Sequence, residues 1–273
     1  MLLEKPLRKI YYVMSPSLRL LVRRIVFLPK DLFRKKDEMM PPSGLIYTGR
    51  GDFIRAGKYW LERFIREGGL KPEDSVLDIG SGIGRMAVPM AKYLTTGRYE
   101  GFDAVRQGVD WCKSNIQRKY PNFNFIYADL DNDLYKSKGF NAAEYRFDYP
   151  DENFDFAISI SVFTHMLKDE IINYLRETSR VLKKGGVLFA TFFVLPDDFQ
   201  PGRQAFDFPY QFGNYALMDK NVKSANVAYR YDFLHDICTQ SGFDIHLYQK
   251  GYWNKHIEHT DNDFQDVLIL RKL

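Results

Sequence analysis

Cysteine is scarce in this chain. Its 273 residues include two, Cys112 and Cys238, far apart and outside any C-x-x-C pair. That spacing argues against a disulfide framework or a thiolate zinc site and fits a reducing compartment. Long apolar runs are missing too, since no stretch approaches the roughly 20 residues that span a bilayer. The N-terminus has no uninterrupted apolar segment followed by a small-residue cleavage site, so no secretory signal is read and the expected location is the cytoplasm. Internal repeats and low-complexity tracts are absent as well.

Basic charge is unevenly placed. The net charge of +4 hides a segment, residues 1–36, with ten Lys or Arg against two acidic residues, so the remainder is net acidic. A uniformly basic face is therefore not expected, and nucleic acid is not an expected partner. The length suits one substantial α/β domain with additions. Aromatic residues reach 16%, high enough to supply pocket walls as well as core.

Residues 1–42 read as a basic N-terminal arm and residues 43–273 as the main domain. Within the arm, Ser17–Leu28 has the spacing of a short amphipathic helix that Pro29 is expected to stop. Arg19, Arg23 and Arg24 are expected on one side, and Leu18, Leu21, Val22, Ile25 and Leu28 on another. Such a helix suits an anionic membrane surface, the main domain, or the second subunit of a homodimer, and the spacing does not choose among them. Pro41 and Pro42 mark the boundary. Beyond Gly49 and Gly51, a helix is expected around Gly57 to Gly68.

From Ser75 onward strands alternate with helices. Strands are predicted at 75–79, 99–102, 123–127, 156–160, 187–193, 243–248 and 265–271. Helices are predicted at 85–94, 107–118, 167–183 and 231–240, the third closed by Lys183, Lys184 and an αL cap at Gly185. This alternation predicts an α/β fold with a mostly parallel sheet covered on both faces. Two connections, 131–150 and 194–229, are long enough to be functional. The second is expected to be a substrate or lid insertion.

The segment Ser75-Val-Leu-Asp-Ile-Gly-Ser-Gly-Ile-Gly-Arg85 runs from an apolar strand through a glycine-rich turn into a helix. Glycine lets the backbone take φ > 0 and approach a ligand closely, and the helix start offers free N–H groups. The spacing Gly80-x-Gly82-x-Gly84 differs from the G-x-G-x-x-G of dinucleotide sites, which disfavours an NAD enzyme. Asp103 falls at the end of the second strand, about 20 residues on, where a carboxylate accepts from ribose hydroxyls.

These residues resemble the motifs of class I SAM-dependent methyltransferases of the small-molecule type. Tyr127-Ala-Asp129-Leu130, Phe154 to Met166 and Arg180 to Ala190 extend the resemblance in the family's order. Weaker matches around Pro41-Pro42, Gly51-Asp52-Phe53, Val227-Ala-Tyr229 and Phe264-Gln-Asp266 look like a bacterial subgroup of poorly known substrate. The resemblance implies a Rossmann-like seven-stranded sheet with its last strand antiparallel. It implies S-adenosylmethionine as cofactor and S-adenosylhomocysteine as product. The cofactor set it implies is Asp78, Gly80, Ser81, Gly82, Gly84, Arg85, Asp103, Ala104, Asp129, Leu130 and Ser161. Asp78 would serve the ligand's ammonium group, Asp103 its ribose and Asp129 its adenine.

The reaction implied is methylation of a small-molecule acceptor, with an oxygen acceptor taken first. N- or C-methylation, or SAM binding without catalysis, remain open. An alcohol or phenol acceptor benefits from a general base. His165, after the fourth strand, is the leading candidate and His256 the second; a packing role is the bland alternative for His165. His256, His259 and Asp261 lack a third soft ligand, so no metal site is expected. Phe53, Phe208, Tyr210 and Trp253 are candidate pocket residues, against the alternative that the insertion's aromatics form a satellite core. Tyr47 is a further candidate to pack over the cofactor.

Overall fold

The apolar runs of the central region pair as strands. The computed structural model describes residues 14–33, 39–49, 51–131, 139–256, 258–261 and 263–273. Among these, the helices are α1 (Pro16–Leu32), α2 (Phe53–Arg66), α3 (Ala87–Tyr93), α4 (Arg106–Cys112), α5 (Lys168–Val181) and α6 (Tyr231–Gln240). The long strands are β1 (Ser75–Ile79), β2 (Arg98–Asp103), β3 (Phe123–Tyr127), β4 (Phe154–Ser159) and β5 (Leu182–Phe192). Four short strands follow: β6 (Val194–Leu195), β7 (Tyr210–Gln211), β8 (Tyr215–Leu217) and β9 (Val227–Arg230). The chain ends with β10 (Phe243–Gln249) and β11 (Asp266–Lys272).

Seven strands form the main sheet in the order β10-β11-β5-β4-β1-β2-β3. β1 lies parallel to β2 and β4, β2 to β3, and β4 to β5. β11 runs antiparallel to both β5 and β10, as expected. Parallel neighbours need a crossover, usually a helix, and the connection from β10 to β11 carries no described helix. Successive side chains of a strand point to opposite faces. On one face Val76, Ile158 and Phe189 meet Trp60 and Phe64 of α2, Met90 of α3 and Val109 of α4. On the other, Leu77 and Leu188 meet Ile171 and Leu175 of α5 and Leu234 and Ile237 of α6. Cys112 and Cys238 are free thiols, both buried.

Local chemistry sets the helix ends. The Asp52 carboxylate accepts the Arg55 N–H at 2.7 Å and caps α2. Phe53, Gly57, Trp60 and Phe64 form its buried stripe. At Gly57 a Cβ would lie 2.4 Å from the Arg85 carbonyl oxygen, so the helix can approach only through glycine. Glu170 accepts the Leu167 N–H at 2.6 Å at the start of α5. The end of α5 departs from expectation. The helix stops at Val181, because fully buried Leu182 turns extended and pairs with Phe154 at the start of β5. Gly185, at φ +75°, sits where the pairing jumps from Leu182 to Val187; it is a bulge residue, not a helix cap. α4 likewise ends early and continues as a π-helical turn over Lys113–Gln117.

The insertion builds a second sheet in the order β6-β9-β8-β7. Under it lies a satellite core of Phe193, Leu195, Phe208, Ala216, Met218, Ala228 and Trp253. Asp266 fastens this unit to the main sheet. Its carboxylate accepts the Val194 and Gly251 N–H groups at 2.7 and 2.9 Å and the Trp253 indole N–H at 2.6 Å. Burial raises its pKa to about 7. Of the 131–150 connection, residues 132–138 lie outside the described residues. The following stretch is held by Arg180, which donates to the Phe147 and Tyr149 carbonyls at 2.9 and 2.8 Å.

In the arm, residues 1–13 and 34–38 lie outside the described residues. α1 does not stop at Pro29 but runs on to Leu32. Proline removes one helical N–H, and the turn beyond it is anchored by Asp31. The Asp31 carboxylate accepts the Ser43 and Gly44 N–H groups at 2.7 and 2.8 Å. No described helix is long and apolar enough to cross a membrane.

Candidate active site

From β1 the chain crosses to β2 and β3 on one side, and from β3 it returns past β1 to β4 on the other, so the strand order reverses beside β1. In open α/β sheets the ligand crevice lies at that switch point, beyond the carboxyl ends of the strands. The glycine turn occupies it. Gly80, Gly82 and Gly84 have φ of +79°, +57° and +79°, a backbone that side-chain-bearing residues resist. The Gly80 and Ser81 N–H groups both donate to the Phe102 carbonyl, at 2.9 and 3.0 Å, which ties the turn to β2. A Cβ at Gly80 would lie 2.3 Å from Val162 Cγ2. The Ser81 hydroxyl is buried with no hydrogen-bond partner.

Asp103 closes β2 beside this turn. Its Oδ2 accepts the Gly82 N–H at 2.8 Å, and its Oδ1 accepts the Val105 N–H at 2.7 Å and the Tyr47 hydroxyl at 3.2 Å. Burial raises its pKa, and the two N–H bonds oppose that rise. Ala104, half-buried, follows at the mouth of α4. Asp78 points into the α2–α4 face and is 2% exposed. Its carboxylate accepts the Tyr99 hydroxyl in a short hydrogen bond, and burial raises its pKa to about 7. Direct contact with a ligand is thus limited at Asp78; it lies behind the turn.

Asp129 is exposed beyond β3, where it accepts the Tyr127 hydroxyl at 3.1 Å, and Leu130 beside it is buried. Ser161 lies after β4 at φ +61°, an unusual conformation for serine. Its N–H donates to Thr191 Oγ1 at 2.7 Å, and its hydroxyl bonds Gln265 Oε1 at 2.8 Å. Arg85 is turned away from the glycine turn's mouth. Its guanidinium donates to the Thr48 carbonyl at 2.8 Å, stacks 5.1 Å over Phe53 and abuts Gly49. It clamps Thr48 and Phe53 beside the turn. Tyr47 is likewise close to Gly108, where a Cβ would lie 2.4 Å from its hydroxyl.

His165 ends a short 3-10 turn after β4. Its Nδ1 is 2.8 Å from the Ser224 carbonyl of the insertion. A carbonyl only accepts, so Nδ1 carries the proton and Nε2 keeps a lone pair. Burial holds the ring's pKa below 6.5. His256 is exposed, 3.3 Å through Nε2 from the Arg203 carbonyl, and His259 lies edge-on to Tyr252. Asp261 is instead committed to Arg63 at 2.7 Å.

Three of the four candidate pocket residues take other places. Phe53 is 2% exposed beneath Arg85, and Phe208 and Trp253 are 0% and 1% exposed in the satellite core. Rings without exposed surface line no pocket, so these three leave the acceptor set. Tyr210 stays exposed on β7. Sequence reasoning missed Tyr99 as the partner of Asp78. The signal was available, because parallel pairing of Asp78 with Gly101 puts Tyr99 two residues away on the same face. It also missed Thr191, Ser224 and Gln265, which reach the crevice from remote segments and leave no local trace.

A family profile described as a methyltransferase domain matches residues 76–186, from β1 into β5. A 2-phytyl-1,4-naphtoquinone methyltransferase of Nostoc sp. is 29% identical over 103 residues, 36% of this chain and 45% of that protein. The chain thus matches less than half the length of its curated relatives. A SAM-dependent methyltransferase from Methanosarcina mazei superimposes with a TM-score of 0.53 at 21% identity, covering 77% of this chain and 97% of that one. An S-adenosylmethionine-dependent methyltransferase from Mesorhizobium loti gives 0.54 at 13%, covering 81% and 100%. At such identities the two structures speak for the fold alone. The profile runs through the glycine turn and the acid of β2, so residues 76–186 match a methyltransferase domain, carried on the sheet these neighbours share.

Proposed function

We propose that this chain transfers a methyl group from S-adenosylmethionine to an oxygen of a small organic acceptor, such as a sugar, a glycolipid or a secondary metabolite. The observation that carries the cofactor half is the turn itself: three positive-φ glycines beside a carboxylate that already holds the Gly82 N–H. The buried, partnerless Ser81 hydroxyl fits a site that is completed by a ligand. On this reading Gly80, Ser81, Gly82 and Gly84 cradle the amino-acid part. Asp103 and Ala104 take the ribose, and Asp129 and Leu130 the adenine. Ser161 borders the sulfonium side, while Asp78 acts from behind through the turn. When bound, S-adenosylmethionine supplies a methyl group already activated by its sulfonium leaving group, so alignment accounts for much of the rate.

The protein's own part is to orient the acceptor and remove its proton. We assign that role to His165, whose Nδ1–H is held by the Ser224 carbonyl and whose pKa burial lowers, so that the ring is neutral at pH 7. A second reading, C-methylation of a quinone-like ring, draws on the printed name of the Nostoc relative. The match there covers the cofactor half, and acceptor residues lie elsewhere. The test is calorimetry with S-adenosylhomocysteine and NAD, then labelled S-adenosylmethionine with alcohol, phenol, amine and quinone acceptors. Low-micromolar S-adenosylhomocysteine binding, no NAD binding and label in an ether product are expected. Label on a ring carbon would select the second reading. Binding without transfer to any acceptor would leave a non-catalytic SAM-binding protein.

A further inference from the structure

Helix α1 wears its apolar face outward. At 3.6 residues per turn, Leu18, Leu21, Val22, Ile25, Leu28 and Leu32 share one arc. That arc faces solvent: Ile25 is 61% exposed and Leu32 70%. The polar side is the one seated on the protein. Arg19 is 8% exposed with its Nε–H donated to the Met14 carbonyl at 2.9 Å, and Asp31 holds the Ser43 and Gly44 N–H groups. Water gains nothing from such an arrangement, so the exposed hydrocarbon calls for an apolar occupant.

We propose that this face of α1 lies in the headgroup layer of an anionic lipid bilayer. Charge selects this occupant. Exposed Arg24 and Lys30 flank the apolar arc on its two sides. The helix has a single acid, Asp31, which is turned inward and bonded. Residues 1–36 add up to ten basic against two acidic residues. An apolar arc between basic flanks is the form of a helix lying in a membrane surface, and each basic group near anionic lipid adds attraction. A second copy docked on the same face would set identical basic flanks against each other. The helix is too short and too charged to cross. The inference stands apart from the methyl-transfer reading, because it uses no residue of the crevice.

The test is co-sedimentation of the full chain with vesicles of phosphatidylcholine alone and of phosphatidylcholine with phosphatidylglycerol. Binding to the anionic vesicles alone, weakening as salt rises, is expected. Ile25→Asp with Val26→Asp, at two exposed positions, should lower the partition coefficient at least about tenfold. Arg24→Glu with Lys30→Glu should lower it by a similar factor at low salt. Unchanged melting temperature and S-adenosylhomocysteine affinity would show that the variants fold; if the aspartate pair does not, the charge-reversed pair decides. Absence of vesicle binding, or equal binding by wild type and folded variants, would overturn the proposal. So would a concentration-dependent dimer in sedimentation velocity that Ile25→Asp dissociates.

Discussion

Asp103 offers the sharpest test of the crevice. Its carboxylate holds the Gly82 and Val105 N–H groups at 2.8 and 2.7 Å, and the proposed function gives it the ribose of the ligand. Asp103→Asn keeps the shape and one acceptor oxygen but removes the charge. A hydrogen bond to a charged group is worth about 1.5–3 kcal/mol. Losing one should weaken S-adenosylhomocysteine binding about tenfold to a hundredfold. The same substitution also loosens the turn, so affinity alone does not separate contact from scaffolding. Calorimetry with the 2′-deoxy analogue does. In the wild type the analogue should bind more weakly than the parent by a comparable factor. In Asp103→Asn the two ligands should bind alike, because the carboxylate that distinguished them is gone. If the deoxy penalty persists undiminished in the variant, Asp103 does not read the ribose. If the variant binds the parent ligand as the wild type does, the crevice itself is misassigned.

Other outcomes follow from the same geometry. Asp78 titrates near 7 when folded against an ordinary 3.8, so the folded state takes up the proton first and wild-type stability falls as pH rises between those values. Asp78→Asn should therefore gain on the wild type by about 1 kcal/mol per pH unit from pH 5 to 7 in urea titrations, and a pH-independent difference would refute the assignment. Gly80→Ala meets both a positive φ and Val162, and should destabilise the fold by about 1–3 kcal/mol while abolishing S-adenosylhomocysteine binding; an unchanged melting curve would contradict it. Trp253→Phe leaves the Asp266 carboxylate one donor short, which should cost about 1–3 kcal/mol in chemical denaturation with ligand affinity unchanged. For an oxygen acceptor, kcat should rise with pH through a midpoint below 6.5, and His165→Ala should lower it about a hundredfold or more while S-adenosylhomocysteine affinity holds. Full activity in that variant would remove His165 as the base.

Much of this was legible because the signals are local. The run Ser75–Ile79 sends Val76 to one face and Leu77 and Ile79 to the other, as a strand covered on both sides does, and the glycines after it take up a backbone at positive φ. The reach of α6 from Tyr231 to Gln240 was equally plain. Errors arose where distant packing overrode local preference. Lys183-Lys184-Gly185 has the composition of a helix end, yet burial of Leu182 beside Phe154 ended α5 earlier. Pro29 reads as a stop, yet Asp31 draws the following turn onto Ser43 and Gly44.

The sequence alone determined the order of strands and helices, the glycine turn, the acids at the ends of β1, β2 and β3, and hence the residues proposed to hold the cofactor. Those features depend on residues within a few positions of one another, whose spacing is set by the backbone's own period. Only the tertiary structure decided that Asp78 sits behind the turn on Tyr99, that Arg85 clamps Thr48 and Phe53, and that His165 is tied to Ser224. It also decided that Phe208 and Trp253 are core, and that α1 turns its apolar side to solvent. Each of these pairs residues far apart along the chain, or sets a face against a neighbour, and no periodicity in the amino-acid order encodes which distant surface a side chain will meet.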